Sequence, residues 1–242
     1  MKLKFLILLT IFFLALGVAP AGATLSTQYV YVTGTEPFDG KAIQATAEFI
    51  FDSVADTIEV KLWNTEADPR AISQCLSDLG FVLTTGQSSG SLISSSGLSR
   101  TVAAGGTYTD GSSVSTGWLL RTNVSLFYYL TANGLVLDDL NGGAGPKKLI
   151  IGPPNSGTGL YGNANSSITG SSHEPVLYGS DAGVDFLLSV PGISDSTRVY
   201  AAVFSFGTEC GDNVIPVLPT VWLLGGGLVG LVLLGRRKLS KA

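Results

Sequence analysis

The chain has 242 residues, of which 31 are Gly, one is His and two are Cys; 13% are charged and the formal net charge is -4. That composition excludes a collagen, a disulfide-stapled miniprotein, a disordered acidic tail and a basic nucleic-acid-binding domain. The mean hydropathy of +0.38 is high for a chain so rich in Gly and Ser, which points to apolar segments at the ends.

At the N-terminus, Lys2 and Lys4 precede an uncharged apolar run from Phe5 to Val18, followed by Pro20-Ala21-Gly22-Ala23. A basic start, a short apolar core and an A-x-A site predict a secretory signal peptide over residues 1–23, with signal peptidase cutting after Ala23 and Ala21 as the alternative site. The run is shorter than the ~20 residues that a spanning helix needs.

From residue 24 the pattern becomes β. Gln28–Thr33 is rich in β-branched and aromatic residues. Ala45, Ala47, Phe49 and Phe51 then alternate with Thr46, Glu48 and Ile50, and Ile58, Val60 and Leu62 alternate with Glu59, Lys61 and Trp63. Period-2 alternation marks strands with one buried face, and the link Asp52–Asp56 is short enough for a hairpin. Asp68 as N-cap, Pro69 and a stop at Gly80 predict one helix over Arg70–Leu79, carrying Cys75. Further strands are expected within Phe81–Thr85, Trp118–Leu130, Lys148–Ile151, Val184–Val190 and Arg198–Phe206. Between Gln87 and Thr116, 19 of 30 residues are Ser, Gly or Thr. So few large apolar side chains predict a mobile loop or a weakly paired edge hairpin. Pro153–Ser172 reads as a loop. The expected fold is all-β, a single jelly-roll-like β-sandwich with long Gly/Ser loops.

The motifs that could carry chemistry are weak. Gly86-Gln87-Ser88-Ser89-Gly90 fits the G-x-S-x-G elbow, with Asp138 or Asp139 and His173 to complete a triad, but a Ser/Gly tract stands where the elbow needs a helix. Gly157–Gly162 fits G-x-G-x-x-G, but Pro153-Pro154 precede it and Asn163-Ala164-Asn165 follow, so a turn-rich loop is expected. One His and no paired-Cys motif argue against zinc. Asp138, Asp139 and Asn141 resemble part of a calcium loop, but the twelfth position counted from Asp139 is Ile150 rather than Glu, so no cofactor is expected and a structural calcium is the alternative. Exposed aromatics could stack on sugar rings, with Trp63 the foremost candidate and Tyr108, Tyr161 and Tyr178 near loops; ordinary packing is the simpler reading. Cys75 and Cys210 both lie in the exported part, where an oxidising compartment permits a bridge.

The C-terminus runs Ile215-Pro216-Val217-Leu218-Pro219, then Thr220–Leu234 without a charge, then Arg236-Arg237-Lys238. Fifteen residues rise about 22 Å as a helix, so a span must borrow residues from both flanks. The basic cluster would stay cytoplasmic. These residues, in this order, resemble the PEP-CTERM sorting signal of Gram-negative bacteria, with Pro216-Val217-Leu218-Pro219 in place of Pro-Glu-Pro. The resemblance implies an exosortase-type membrane transpeptidase as partner, Pro216 and Pro219 as recognition motif, and Arg236, Arg237 and Lys238 as retention signal. Ala47-Glu48-Phe49, Val60–Thr65, His173–Leu177 and Val203–Thr208 are similar to stretches of exosortase-dependent surface proteins whose β-rich domains have no assigned catalysis.

Three parts follow: residues 1–23 as signal peptide, 24–213 as ectodomain and 214–242 as sorting signal with one transmembrane helix. All 18 acidic residues fall in the ectodomain but only eight of the 14 basic ones, leaving it at -10. Such a surface repels nucleic acid. The sequence therefore points to a non-catalytic exported protein, held first at the inner membrane and then sorted to the cell surface or the extracellular polysaccharide matrix, with a structural or adhesive role. The rival is a carbohydrate-binding module of that matrix.

Overall fold

The computed structural model describes residues 25–35, 40–127, 130–139, 148–170 and 174–208. The expected signal peptide, His173, Asn141, Cys210 and the whole of the expected sorting signal lie outside the described residues. The described part is all-β: β1 (Leu25–Thr35), β2 (Ala42–Asp52), β3 (Thr57–Asn64), β4 (Leu76–Leu83), β5 (Ser91–Val102), β6 (Tyr108–Val114), β7 (Leu119–Phe127), β8 (Leu130–Asp138), β9 (Ile150–Ile151), β10 (Val176–Tyr178), β11 (Val184–Ser189) and β12 (Val199–Phe206). Among the described residues no helix is long and apolar enough to cross a membrane.

All twelve strands belong to one hydrogen-bonded sheet in the order β1-β2-β3-β11-β5-β10-β9-β4-β8-β7, with β12 beside β4 and β6 beside β5. The hairpin of β2 and β3 forms where period-2 alternation predicts it, with Asp52 opposite Thr57. Its turn is held by Asp52, whose Oδ1 accepts from the N–H groups of Val54 and Ala55 at 3.0 and 2.9 Å. Alternation then sorts the faces: Phe49, Phe51, Val60 and Leu62 are sealed inside, with Val184, Phe186 and Leu188 of β11 beside them.

The sheet folds over on itself. Residues 91–96 of β5 pair with β11 and residues 98–100 pair with β10, so β5 belongs to both halves. The inner faces then meet: Phe49 of β2 lies edge-on to Phe81 of β4, 5.1 Å between centroids, although the two strands are not neighbours. Trp118 lies 5.2 Å from Phe186 and donates its indole N–H to the Lys148 carbonyl. Side chains stitch the first strand to the last, since Gln28 of β1 donates to Val199 O and accepts from Val199 N at 3.0 and 2.7 Å. A second, smaller core of Cys75, Val102, Leu149, Ile151, Tyr161, Ile168 and Val176 sits under the segment after β9.

Two expectations are corrected. The Arg70–Leu79 helix is absent; a 3-10 turn at Ile72–Gln74 leads directly into β4. All eight residues of β4 are buried, so the strand has no polar face to reveal a period of two, and its apolar spacing imitates a helix. Gly80 lies mid-strand, opposite Val203 and Val136. Asp68 does not cap a helix; its carboxylate accepts from the backbone and side chain of Asn163. Of the two readings of the Ser-rich tract, the mobile loop is not what forms: the tract is a β5–β6 hairpin in which β6 pairs only with β5, as an edge hairpin would, but β5 itself is central to the sheet.

The contact between the two halves should dominate stability. Phe49→Ala removes a fully buried ring and should lower the unfolding free energy by about 3–5 kcal/mol in urea titration.

Candidate functional site

The aromatic residues singled out in the sequence divide between two places. Tyr108, Tyr161 and Tyr178 do come together, but around Arg100 of β5. The guanidinium lies 4.0 Å from the Tyr108 ring centroid and 3.6 Å from that of Tyr178, between two rings. Its Nη1 donates to the Tyr161 hydroxyl at 2.8 Å, and Nε and Nη2 donate to both carboxylate oxygens of Asp110 at 2.6 and 2.8 Å. Tyr161, fully buried, donates in turn to the Gly152 carbonyl at 2.7 Å. Burial opposes the charge on Arg100, but the bonds to Asp110 and Tyr161 outweigh it and leave the guanidinium pKa above its ordinary value. Burial is also the main reason that Tyr161 keeps its proton above the usual phenol range. The cluster therefore joins β5, β6, β10 and the segment around Tyr161, and these three tyrosines spend their rings on Arg100 and the small core rather than on a ligand.

Trp63 stands elsewhere, on the outward face of β3. Its indole N–H donates to Ser180 O at 2.9 Å. The ring lies against Gly183, whose φ is +80° and where a methyl group would come within 2.8 Å of the indole. The turn before β11 thus sets the ring's orientation, and only glycine fits there. In register across the same face, Trp63 is opposite Thr46, which is opposite Tyr31; Lys61 is opposite Glu48, which is opposite Tyr29. Tyr29 and Tyr31 are 62% and 68% exposed, high values for aromatic rings. Tyr29 donates its hydroxyl to Glu48 Oε1 at 2.5 Å, a bond that raises its pKa, with the charge of Glu48 adding to the effect.

The residues of the weak hydrolase motif are occupied structurally. Ser88 donates to Asn123 Oδ1 at 2.7 Å. Asp138 pairs with Arg121 at 3.1 Å, and Asp139 accepts from the Lys148 N–H at 2.9 Å. No group of metal-ligating side chains converges among the described residues. The Gly157–Gly162 segment follows β9 and forms turns, with Asn155 Oδ1 accepting from Gly157 N and Thr158 N. Cys75 is fully buried, and burial pushes its thiol up to about 12, which leaves it a poor nucleophile at neutral pH.

No known protein family, curated protein or solved structure matches the chain.

Sequence reading missed Arg100 and Asp110 because a charged pair inside a Ser-rich tract looks like solvated loop. It also missed Tyr29 and Tyr31, although their alternation with Val30 and Val32 is a signal that two rings project outward together. Arg100→Met should lower stability by about 2–4 kcal/mol in urea titration, and Arg100→Lys should recover only part of that, because an ammonium cannot make the planar, two-pronged contact.

Proposed function

We propose that this is a non-catalytic exported protein, sorted by an exosortase-type system to the cell envelope or extracellular polysaccharide matrix, where it has a structural or adhesive role. In this reading the folded-over sheet is a jelly-roll-like β-sandwich, and signal peptidase and the exosortase are its processing partners. The observation that carries the reading is the order of parts after the last strand: Pro216 and Pro219, the apolar run Thr220–Leu234, then Arg236, Arg237 and Lys238. Engagement of Ser88, Asp138 and Asp139 in structural contacts supports the non-catalytic part.

A Cys75–Cys210 bridge belongs to the same proposal. The Gly207 N–H donates to the Cys75 carbonyl at 2.8 Å, which brings the chain alongside Cys75 three residues before Cys210. Closing so long a loop would stabilise the fold by up to ~5 kcal/mol.

Replacing Arg236, Arg237 and Lys238 with Gln should impair C-terminal processing and release. Unchanged processing and localisation of that variant would contradict the sorting reading. Unfolded, unreduced protein from the envelope should take up no maleimide, and two labels should appear after reduction; labelling without reduction would contradict the bridge.

A further inference from the structure

We propose that the outer face of β1, β2, β3, β11 and β5 is a platform for a neutral polysaccharide, with Tyr29, Tyr31 and Trp63 stacking on sugar rings and Asp185, Ser94 and Ser96 bonding to sugar hydroxyls. The register places these residues together. Tyr29, Glu48, Lys61, Asp185 and Ser96 stand opposite one another in turn across five strands. At about 4.8 Å per strand that row runs about 19 Å, long enough for several sugar rings. A parallel row runs from Tyr31 through Thr46 to Trp63.

The two ends of the platform offer different chemistry. At the β1 end, two tyrosines two residues apart project from one strand and remain mostly exposed. Rigid rings with few rotatable bonds can cover the C–H face of a pyranose at small entropic cost, while the Tyr29 hydroxyl stays anchored to Glu48. At the β5 end, a cleft of about 310 Å³ is lined by Glu59, Ser94, Ser96, Asp185 and Leu187. Within it, Asp185 Oδ1 is buried yet accepts no hydrogen bond among the described residues. A carboxylate oxygen left without a donor costs stability, and a sugar hydroxyl entering the cleft is a donor of the right kind once a small turn of the Asp185 side chain presents that oxygen to it. Burial raises the Asp185 pKa, with Lys61 opposing the shift and Glu59 adding to it.

Charge selects the class of glycan. Glu48, Glu59 and Asp185 face out with Lys61 as the one cation among the described residues of this outer face, and Lys61 is drawn to Glu59 at 3.4 Å. Together with the -10 of the ectodomain, this field repels an anionic polymer and leaves a neutral one unopposed.

The inference rests on the adhesive reading but is tested apart from sorting, since binding is read on purified protein and processing in cells. The full chain in a sugar-free zwitterionic detergent is run through native gels containing hydroxyethylcellulose, laminarin or galactomannan, with polygalacturonate as the anionic polymer. At least one neutral polymer should retard the protein, and polygalacturonate should not. The Tyr29→Ala/Tyr31→Ala variant should bind about ten-fold more weakly or less, whereas Tyr200→Ala, an exposed ring on β12, should bind as the parent does. Asp185→Ala should weaken binding without lowering the urea midpoint, a separation that a purely structural carboxylate would not give. No retardation by any neutral polymer, full binding by the double variant, or preference for polygalacturonate would overturn the proposal. So would dimerisation that depends on Tyr29 and Tyr31 and takes the place of glycan binding.

Discussion

The architecture depends on one strand making a turn between two halves of a sheet. β5 pairs with β11 over its first half and with β10 over its second, and Gly97 lies between the two. A methyl group at Gly97 would stand 3.2 Å from Val184 and 3.3 Å from Leu177, two core residues on the two flanking strands. Absence of a side chain lets the corner close, and the small serines around it keep the outer side of the bend slim. Once β5 turns, Phe49 can reach Phe81 and the inner faces form one core. Strands that change sheets at such a corner need a residue tolerant of close backbone approach.

The same strand carries the device that stabilises its far end. Three positions past Gly97, Arg100 is bonded to Asp110 on β6 and to Tyr161, and lies between the rings of Tyr108 and Tyr178. A guanidinium in that position would be costly to bury alone. With both prongs bonded and both flat faces covered by rings, it joins four chain segments that have little apolar surface of their own. That explains how a tract with so few large apolar side chains is ordered: what it lacks in burial is replaced by one directed polar cluster and by partners on both sides.

Legibility in the sequence followed the visibility of the period. β1, β2, β3, β11 and β12 each have an exposed face or a continuous apolar run, and all five were readable. The central part of β4 was not, because burial of Ser77 and Asp78 along with Leu76 and Leu79 erased the contrast between its faces. β5 and β6 were hidden by composition, since Ser and Gly report what a segment cannot bury and say nothing of what its neighbours bury around it. At the site level, Trp63 and its outward position were legible, whereas the diversion of Tyr108, Tyr161 and Tyr178 to Arg100 required long-range contacts. The orphan acceptor of Asp185 was invisible in sequence for the same reason: its isolation is created by β3 and β5, not by its neighbours in the chain.

The state of β5 is where this account and the composition of the chain disagree most, so native-state amide hydrogen exchange of the residues 91–102 tests it most directly. If β5 is the corner of the sheet, its ladder amides should be protected to nearly the same degree as those of β2 and β3. Exchange of that segment at the rate of an open, unpaired chain, with β2 and β3 still protected, would contradict it.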